Sequence, residues 1–191
     1  MKTQTTMEKH SAQPFLSDIK TLRENARQQI AQGAVTKTYG GDVAQTIDIL
    51  QSVLATEIVC MLRYTQHSVA ATGLASESVK AEIAAHAKEE QEHAMAVAER
   101  INQLGGSPDF HPKSLASRSA SECRTGEDLV SMIRENLIAE RIAVDHYREL
   151  IRFFGDNDPT TRVMIESILA IEEEHASDMQ DLLATHEGVK R

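Results

Sequence analysis

The sequence predicts an all-α fold: a four-helix bundle with a long crossover between its second and third helices and a helical extension at the N-terminus. Three observations lead there. Glycine and proline, the strongest local breakers, are confined to short clusters. The four long stretches between them, residues 42–72, 74–104, 126–154 and 159–186, are rich in Ala, Leu, Glu, Arg, Gln and Met, all good helix formers. Within them apolar residues recur three and four apart, as in Ile47, Leu50, Leu54, Ile58 and Met61, and not in strand-like alternation.

Taken in order, residues 1–41 read as an extension, with Pro14 near its start and a short amphipathic helix over residues 15–32. Gly33, Gly40 and Gly41 separate it from residues 42–191, the bundle. The first bundle helix stops before Gly73 and the second before Gly105, where a left-handed C-terminal residue is wanted. Gly105, Gly106, Pro108 and Pro112 open the crossover, residues 105–125. The third helix begins at a capping box between Thr125 and Asp128 and ends at Gly155. The fourth has Asp158 as N-cap, Pro159 at its first position and Gly188 beyond its end.

Hydrophobic residues make up 41% and charged ones 26%, enough for a packed core. Aromatics reach only 4% and Trp is absent, thin for a β-sandwich or barrel. Two cysteines are too few for a disulfide scaffold or a zinc finger. Cys60 reads as a buried inert thiol and Cys123, in the crossover, as exposed. No apolar targeting segment opens the chain and no stretch approaches membrane-spanning length, so a soluble, cytoplasmic protein is expected. The formal charge of −9 divides into +2 over residues 1–30 and −11 over the remainder. That balance argues against a dedicated nucleic-acid binder. It suits a body that holds cations, provided the carboxylates converge.

An internal repeat says that they do. The first bundle helix contains LATEIVCMLRY, with Glu57 seven residues before Tyr64; the third contains LIAERIAVDHY, with Glu140 seven residues before Tyr147. The second contains EQEHA, with Glu90 and His93; the fourth contains EEEHA, with Glu172 and His175. The two halves align at an offset of 83 residues for the lone glutamates and 82 for the E-x-x-H pairs. Residues three apart share a helix face, so each Glu and His of an E-x-x-H project together.

One E-x-x-H in an acidic helix is an ordinary solvated face, and a lone Tyr in an apolar run is an ordinary core aromatic. Six ligand-type residues recurring in order on four helices answer to no packing rule. Four carboxylates and two imidazoles facing inward form a ligand set for two divalent cations, with a total charge of −4 to neutralise them. Iron and manganese suit these donors, and zinc is a possible substitute. His86, one turn before Glu90, reads equally as a boundary residue or an additional ligand; His67, His111, His146 and His186 read as surface or structural residues.

On these residues the sequence resembles the ferritin-like superfamily, and most closely bacterioferritin and bacterioferritin-type Dps-like proteins, over residues 42–186. Tyr64, seven residues after Glu57, matches a Tyr that bacterioferritins place beside their di-iron centre. The resemblance implies that Glu90 and Glu172 bridge two iron ions, that Glu57 and His93 serve one, and that Glu140 and His175 serve the other. It implies catalytic roles for Glu57, Glu90, Glu140, Glu172 and Tyr64 in a ferroxidase that oxidises Fe²⁺ with O₂ or H₂O₂ and stores the product inside a hollow homo-oligomer. Gln91 stands where bacterioferritin carries its haem-ligating Met, and Gln is a poor axial ligand, so haem is not expected there. Only 16 residues follow His175, short of the fifth helix of 24-subunit ferritins, and the N-terminal extension is longer than in bacterioferritin. Both favour a 12-subunit shell over a 24-subunit one.

Two other classes use related ligands. A di-iron oxygenase or peroxidase acting on a small substrate is one, although the Cys-x-x-Cys module of rubrerythrin-type peroxidases is missing from the sequence. A Dps-type DNA-protecting protein is the other, for which the +2 arm and Val189-Lys190-Arg191 offer only weak basic contacts.

Overall fold

The computed structural model describes residues 17–71 and 77–187. Pro14, Gly73, Gly188 and Val189-Lys190-Arg191 lie outside them. Among the described residues there are six α-helices and no strand: α1 (Ile19–Gln28), α2 (Val43–Ala70), α3 (Glu77–Gln103), α4 (Pro112–Arg118), α5 (Leu129–Phe154) and α6 (Pro159–Glu187). The chain divides after Lys37 into two compact units. In the first, Asp18 caps α1 by accepting from the Thr21 amide at 3.0 Å. The helix is shorter than the stretch to residue 32 predicts, because Ile30–Gln32 tightens into a 3₁₀ turn. The Lys37 amide closes back on Gln29 Oε1 at 2.9 Å.

In the second unit α2 packs along α3 and α5 along α6, and the pairs meet through α2 with α5 and α3 with α6. Tyr64, Val79, Ile83, Ala87, Ile133 and Met179 join all four helices in one apolar cluster. Helix α2 corrects one expectation, since by length and composition it could cross a membrane. More than half of its apolar stretch is buried inside the bundle. It also carries buried Glu57, Arg63 and His67, so its apolar character belongs to a core helix.

The fourth bundle helix starts as expected. The Asp158 carboxylate accepts from the Thr161 amide at 2.9 Å, the buried Arg100 guanidinium at 2.9 Å and the Tyr39 hydroxyl at 2.8 Å. The third does not. Its capping box joins Asp128 and Ser131, not Thr125 and Asp128. The reason is Gly126, where the chain doubles back over the first turn. A Cβ there would lie 2.3 Å from the Met132 nitrogen, so the reversal takes a glycine and the helix opens only after it.

The crossover holds a short helix, α4, that the breakers in that region had concealed. Polar side chains of α2 tie the segment down. Gln51 Nε2 donates to the Ser107 carbonyl (2.8 Å), Ser52 Oγ to that of Arg118 (2.7 Å), and Thr56 Oγ1 accepts from the Ala120 amide (2.9 Å). Farther along, the buried Arg63 guanidinium donates to Asn136 Oδ1, Ser121 Oγ and the Glu122 carbonyl, each at 3.1 Å.

Candidate metal centre

The helical spacing places Glu57 on α2, Glu90 and His93 on α3, Glu140 on α5, and Glu172 and His175 on α6. The bundle brings all six together, and each is buried. They form two groups whose ligand atoms lie within 4.8 Å of one another: Glu57, Glu90, His93 and Glu172, and Glu90, Glu140, Glu172 and His175. Glu90 and Glu172 belong to both. In each histidine it is Nδ1 that faces the carboxylates. His93 Nδ1 is 3.0 Å from Glu172 Oε1 and 3.4 Å from Glu57 Oε2; His175 Nδ1 is 3.4 Å from Glu90 Oε1 and 3.7 Å from Glu172 Oε2.

These approaches are close without being aligned as hydrogen bonds. Glu90 Oε1, Glu140 Oε2, Glu172 Oε1, His93 Nδ1 and His175 Nδ1 are buried atoms with no hydrogen-bond partner. Orphaned buried polar atoms are rare, and five converging on one point call for an explanation. Divalent cations at the two groups would satisfy them all, and the mixed carboxylate and imidazole donors suit first-row metals. The buried cluster is consistent with a di-metal site.

Electrostatics without cations points the same way. Burial, then the charges of Glu172, Glu57 and Glu140, push Glu90 well above the usual carboxylate range. Burial and Glu172 do the same to Glu140. Glu172 is held low: burial opposes its charge, and the two histidines beside it more than offset that. His93 reverses the usual effect of burial and is held up to about 10 by Glu172 and Glu57. The raised groups hold protons where positive charge is wanted, and bound cations would displace them.

The tyrosines cross between the halves. Tyr64 on α2 donates to Glu140 on α5, and Tyr147 on α5 donates to Glu57 on α2. Burial, followed by those carboxylates, keeps both phenols protonated far above their ordinary range. The sequence reading singled out Tyr64 and left Tyr147 as a core aromatic, although Tyr147 sits at the same repeat offset. Glu89 was missed altogether. His175 Nε2 donates to it at 2.8 Å, which turns the Nδ1 lone pair of that ring toward the cluster.

His86 is buried and its ring stacks on that of His175, with centroids 4.0 Å apart and 21° between planes. Burial, then His175, hold it down to about 4. Cys60 is buried as expected, within reach of Arg63 Nη2, 3.4 Å away, and burial pushes its thiol far up, away from the reactive thiolate. Cys123 is exposed. His67, with Nδ1 2.9 Å from Asn136 Oδ1, is a fully buried structural residue; His111 and His186 are exposed and His146 half-buried.

Residues 47–189 match the family model for the ferritin-like domain. The chain belongs to the ferritin family. It is 30% identical over 152 residues to the DNA protection during starvation protein of Pyrococcus furiosus, an alignment that takes in 75% of this chain and 80% of that one. Among solved structures, a dodecameric thioferritin, the bacterioferritin-related protein of Bacteroides fragilis, is similar with a TM-score of 0.69 and 27% identity. The likeness covers 88% of this chain and 99% of that one. Bacterioferritin of Mycobacterium tuberculosis follows at a TM-score of 0.68 and 25% identity, over 78% and 89% of the two chains.

Proposed function

We propose that this chain is a ferroxidase that oxidises Fe²⁺ and retains the ferric product inside a homo-oligomeric shell. The observation that carries the reading is the pair of four-residue groups sharing Glu90 and Glu172. Shared carboxylates bring two cations side by side, which a two-electron oxidant requires. Glu57 and His93 would hold one Fe²⁺ and Glu140 and His175 the other, with Glu90 and Glu172 shared between them. Manganese or zinc can occupy the same donors as competitors.

The reaction balances on two iron ions. Each Fe²⁺ gives one electron; O₂ takes two electrons and two protons and leaves as H₂O₂, or H₂O₂ takes two electrons and two protons and leaves as two waters. The protons displaced from Glu90, Glu140 and the histidines on Fe²⁺ binding are at hand for that second partner. Tyr64 and Tyr147 hold Glu140 and Glu57 in place by single hydrogen bonds, leaving the other carboxylate oxygen of each for the metal. An acidic body attracts the incoming cation.

Stopped-flow mixing of the metal-free protein with Fe²⁺ and O₂ tests the reading, with Glu90→Ala as the control. Rapid oxidation by the wild type and its loss in the variant are expected; equal rates overturn it. A shell of twelve copies of the 21.1 kDa chain has a native mass of roughly 250 kDa. The dodecameric state of the Bacteroides relative supports that number over twenty-four. Protection of DNA, named for the Pyrococcus relative, is a second activity to test by gel shift, with the body charge of −11 opposing it. The setting we propose is the cytoplasm.

A further inference from the structure

We infer that Tyr147, not Tyr64, is the phenol that supplies an electron when a chain holds a single Fe²⁺ and meets H₂O₂. That role rests on the ferroxidase reading, and it falls to the tyrosine that the family resemblance leaves out. As hydrogen-bond donors the two are equivalent, each fully buried and each bound to the lone glutamate of the other half. The charge beside them is not. Arg63, only 1% exposed, lies over the Tyr64 ring with Cζ 5.9 Å from its centroid. The guanidinium donates to Asn136, Ser121 and the Glu122 carbonyl and reaches the Cys60 sulfur. Among the described residues no carboxylate accepts a hydrogen bond from it. Its positive charge therefore acts at close range on Tyr64, in an interior of low dielectric.

The internal repeat shows that this cation is one-sided. At the offset of 83 residues that relates Tyr64 to Tyr147, Arg63 corresponds to His146, Asn136 to Val53 and Cys60 to Ala143. Tyr147 thus has an imidazole beside it, ring centroids 5.8 Å apart, where Tyr64 has a guanidinium. Burial lowers His146, so near neutral pH that ring carries no charge. Removing an electron leaves a tyrosine and its glutamate one unit more positive. Arg63 opposes that at Tyr64, and among the described residues no cation lies over the Tyr147 ring. Other aromatic donors are absent or remote. The chain has no Trp, and the third tyrosine, Tyr39, bonds to Asp158, roughly 20 Å along α6 from Glu172.

The step is called for because H₂O₂ takes two electrons and one Fe²⁺ gives only one. Fe²⁺, the Tyr147 phenol, H₂O₂ and one proton yield Fe³⁺, a phenoxyl radical and two waters. The O–H bond of Tyr147 breaks, its proton leaving along the hydrogen bond to Glu57. The O–O bond of the peroxide breaks, and its two oxygens leave as water. A later Fe²⁺ returns one electron, with a proton, and restores the phenol. One-electron cleavage, which frees a hydroxyl radical, is avoided.

The test uses the metal-free full chain, given one Fe²⁺ per chain without O₂, mixed with one equivalent of H₂O₂ and freeze-quenched. EPR reads the tyrosyl radical and Mössbauer spectroscopy reads Fe³⁺ in the same samples. Wild type and Tyr64→Phe are expected to form the radical. In Tyr147→Phe it falls roughly tenfold while iron is still oxidised. Each single variant loses one hydrogen bond to a buried glutamate, so a merely structural effect strikes both alike. Combined with Tyr147→Phe, Arg63→Gln restores the radical, now on Tyr64, whereas Arg63→Lys keeps the charge and does not. If the Arg63 variants fail to fold, the two single variants decide the matter alone. A radical lost in Tyr64→Phe, lost equally in both, or absent from wild type although Fe³⁺ forms overturns the role of Tyr147 and leaves the ferroxidase reading standing. Fe²⁺ left unoxidised by the wild type removes that reading and the role with it.

Discussion

The hydroxyl of Tyr147 donates to the carboxylate of Glu57, a residue 90 positions earlier and on the facing helix. Tyr64 makes the mirror contact with Glu140, so each half of the repeat steadies the lone glutamate of the other. This reciprocal exchange gives the cluster an approximate two-fold arrangement and equal standing to two tyrosines that differ in their sequence surroundings.

Tyr147→Phe and Tyr64→Phe are therefore expected to act alike. Each leaves one oxygen of a buried glutamate without its donor, and oxidation of Fe²⁺ should slow by about tenfold in either variant. Stopped-flow comparison of the two decides it. A slow Tyr64 variant beside an unaffected Tyr147 variant would sink the equivalence.

Glu89 orients His175 by accepting from Nε2. Replacement by Ala frees the ring to rotate, and affinity for the second cation should drop about 10–100-fold. Gln keeps an acceptor oxygen, so Glu89→Gln should recover much of the loss. Anaerobic calorimetry with Co²⁺ reads this directly; identical affinities for Ala and wild type contradict it.

Stability should depend on pH without metal and much less with it. Without cations His93 titrates at about 10 instead of 6.5, and Glu90 and Glu140 are raised as well. The folded chain then holds protons that the unfolded chain has released, so stability falls as pH rises. The part due to His93 is complete below pH 6.5 and is gone above about 10. Thermal melts of chelator-treated protein should drop across that window, while Zn²⁺-loaded protein stays level at its lower end. A melting temperature that climbs in the chelated sample refutes the scheme.

Arg63 joins α2 to α5 and to the end of the crossover with no carboxylate as its hydrogen-bond partner. Arg63→Met leaves Asn136 and Ser121 short of a donor in the interior, at a cost of about 2–3 kcal/mol. Urea denaturation measures it, and a change below half a kcal/mol would show the crossover to be held by other contacts.

Much of this architecture was legible in the chain. Helical spacing, the breakers and Asp158 with Pro159 marked four long helices, because helix starts and stops are local chemistry. The same locality misled at Thr125, where the start of α5 depends on how closely Gly126 approaches the backbone of Ser131 and Met132. Helix α4 lay hidden among prolines and glycines, since its place is decided by the α2 side chains that hold the crossover. Glu57, Glu90, His93, Glu140, Glu172 and His175 were visible because the repeat wrote them twice.

Glu89 and His86 were written once. Their partners, His175 and Asp178, stand 86 and 92 residues away, and only the packing of α3 on α6 brings them within reach. By itself the sequence determined which residue types face the interior and at what spacing, since helix periodicity follows from local geometry. The tertiary structure alone decided which glutamate each tyrosine holds, which histidine nitrogen faces the cluster, and that the ring of His86 stacks on that of His175. Those relationships are set by distances between helices, and no local rule in the chain encodes them.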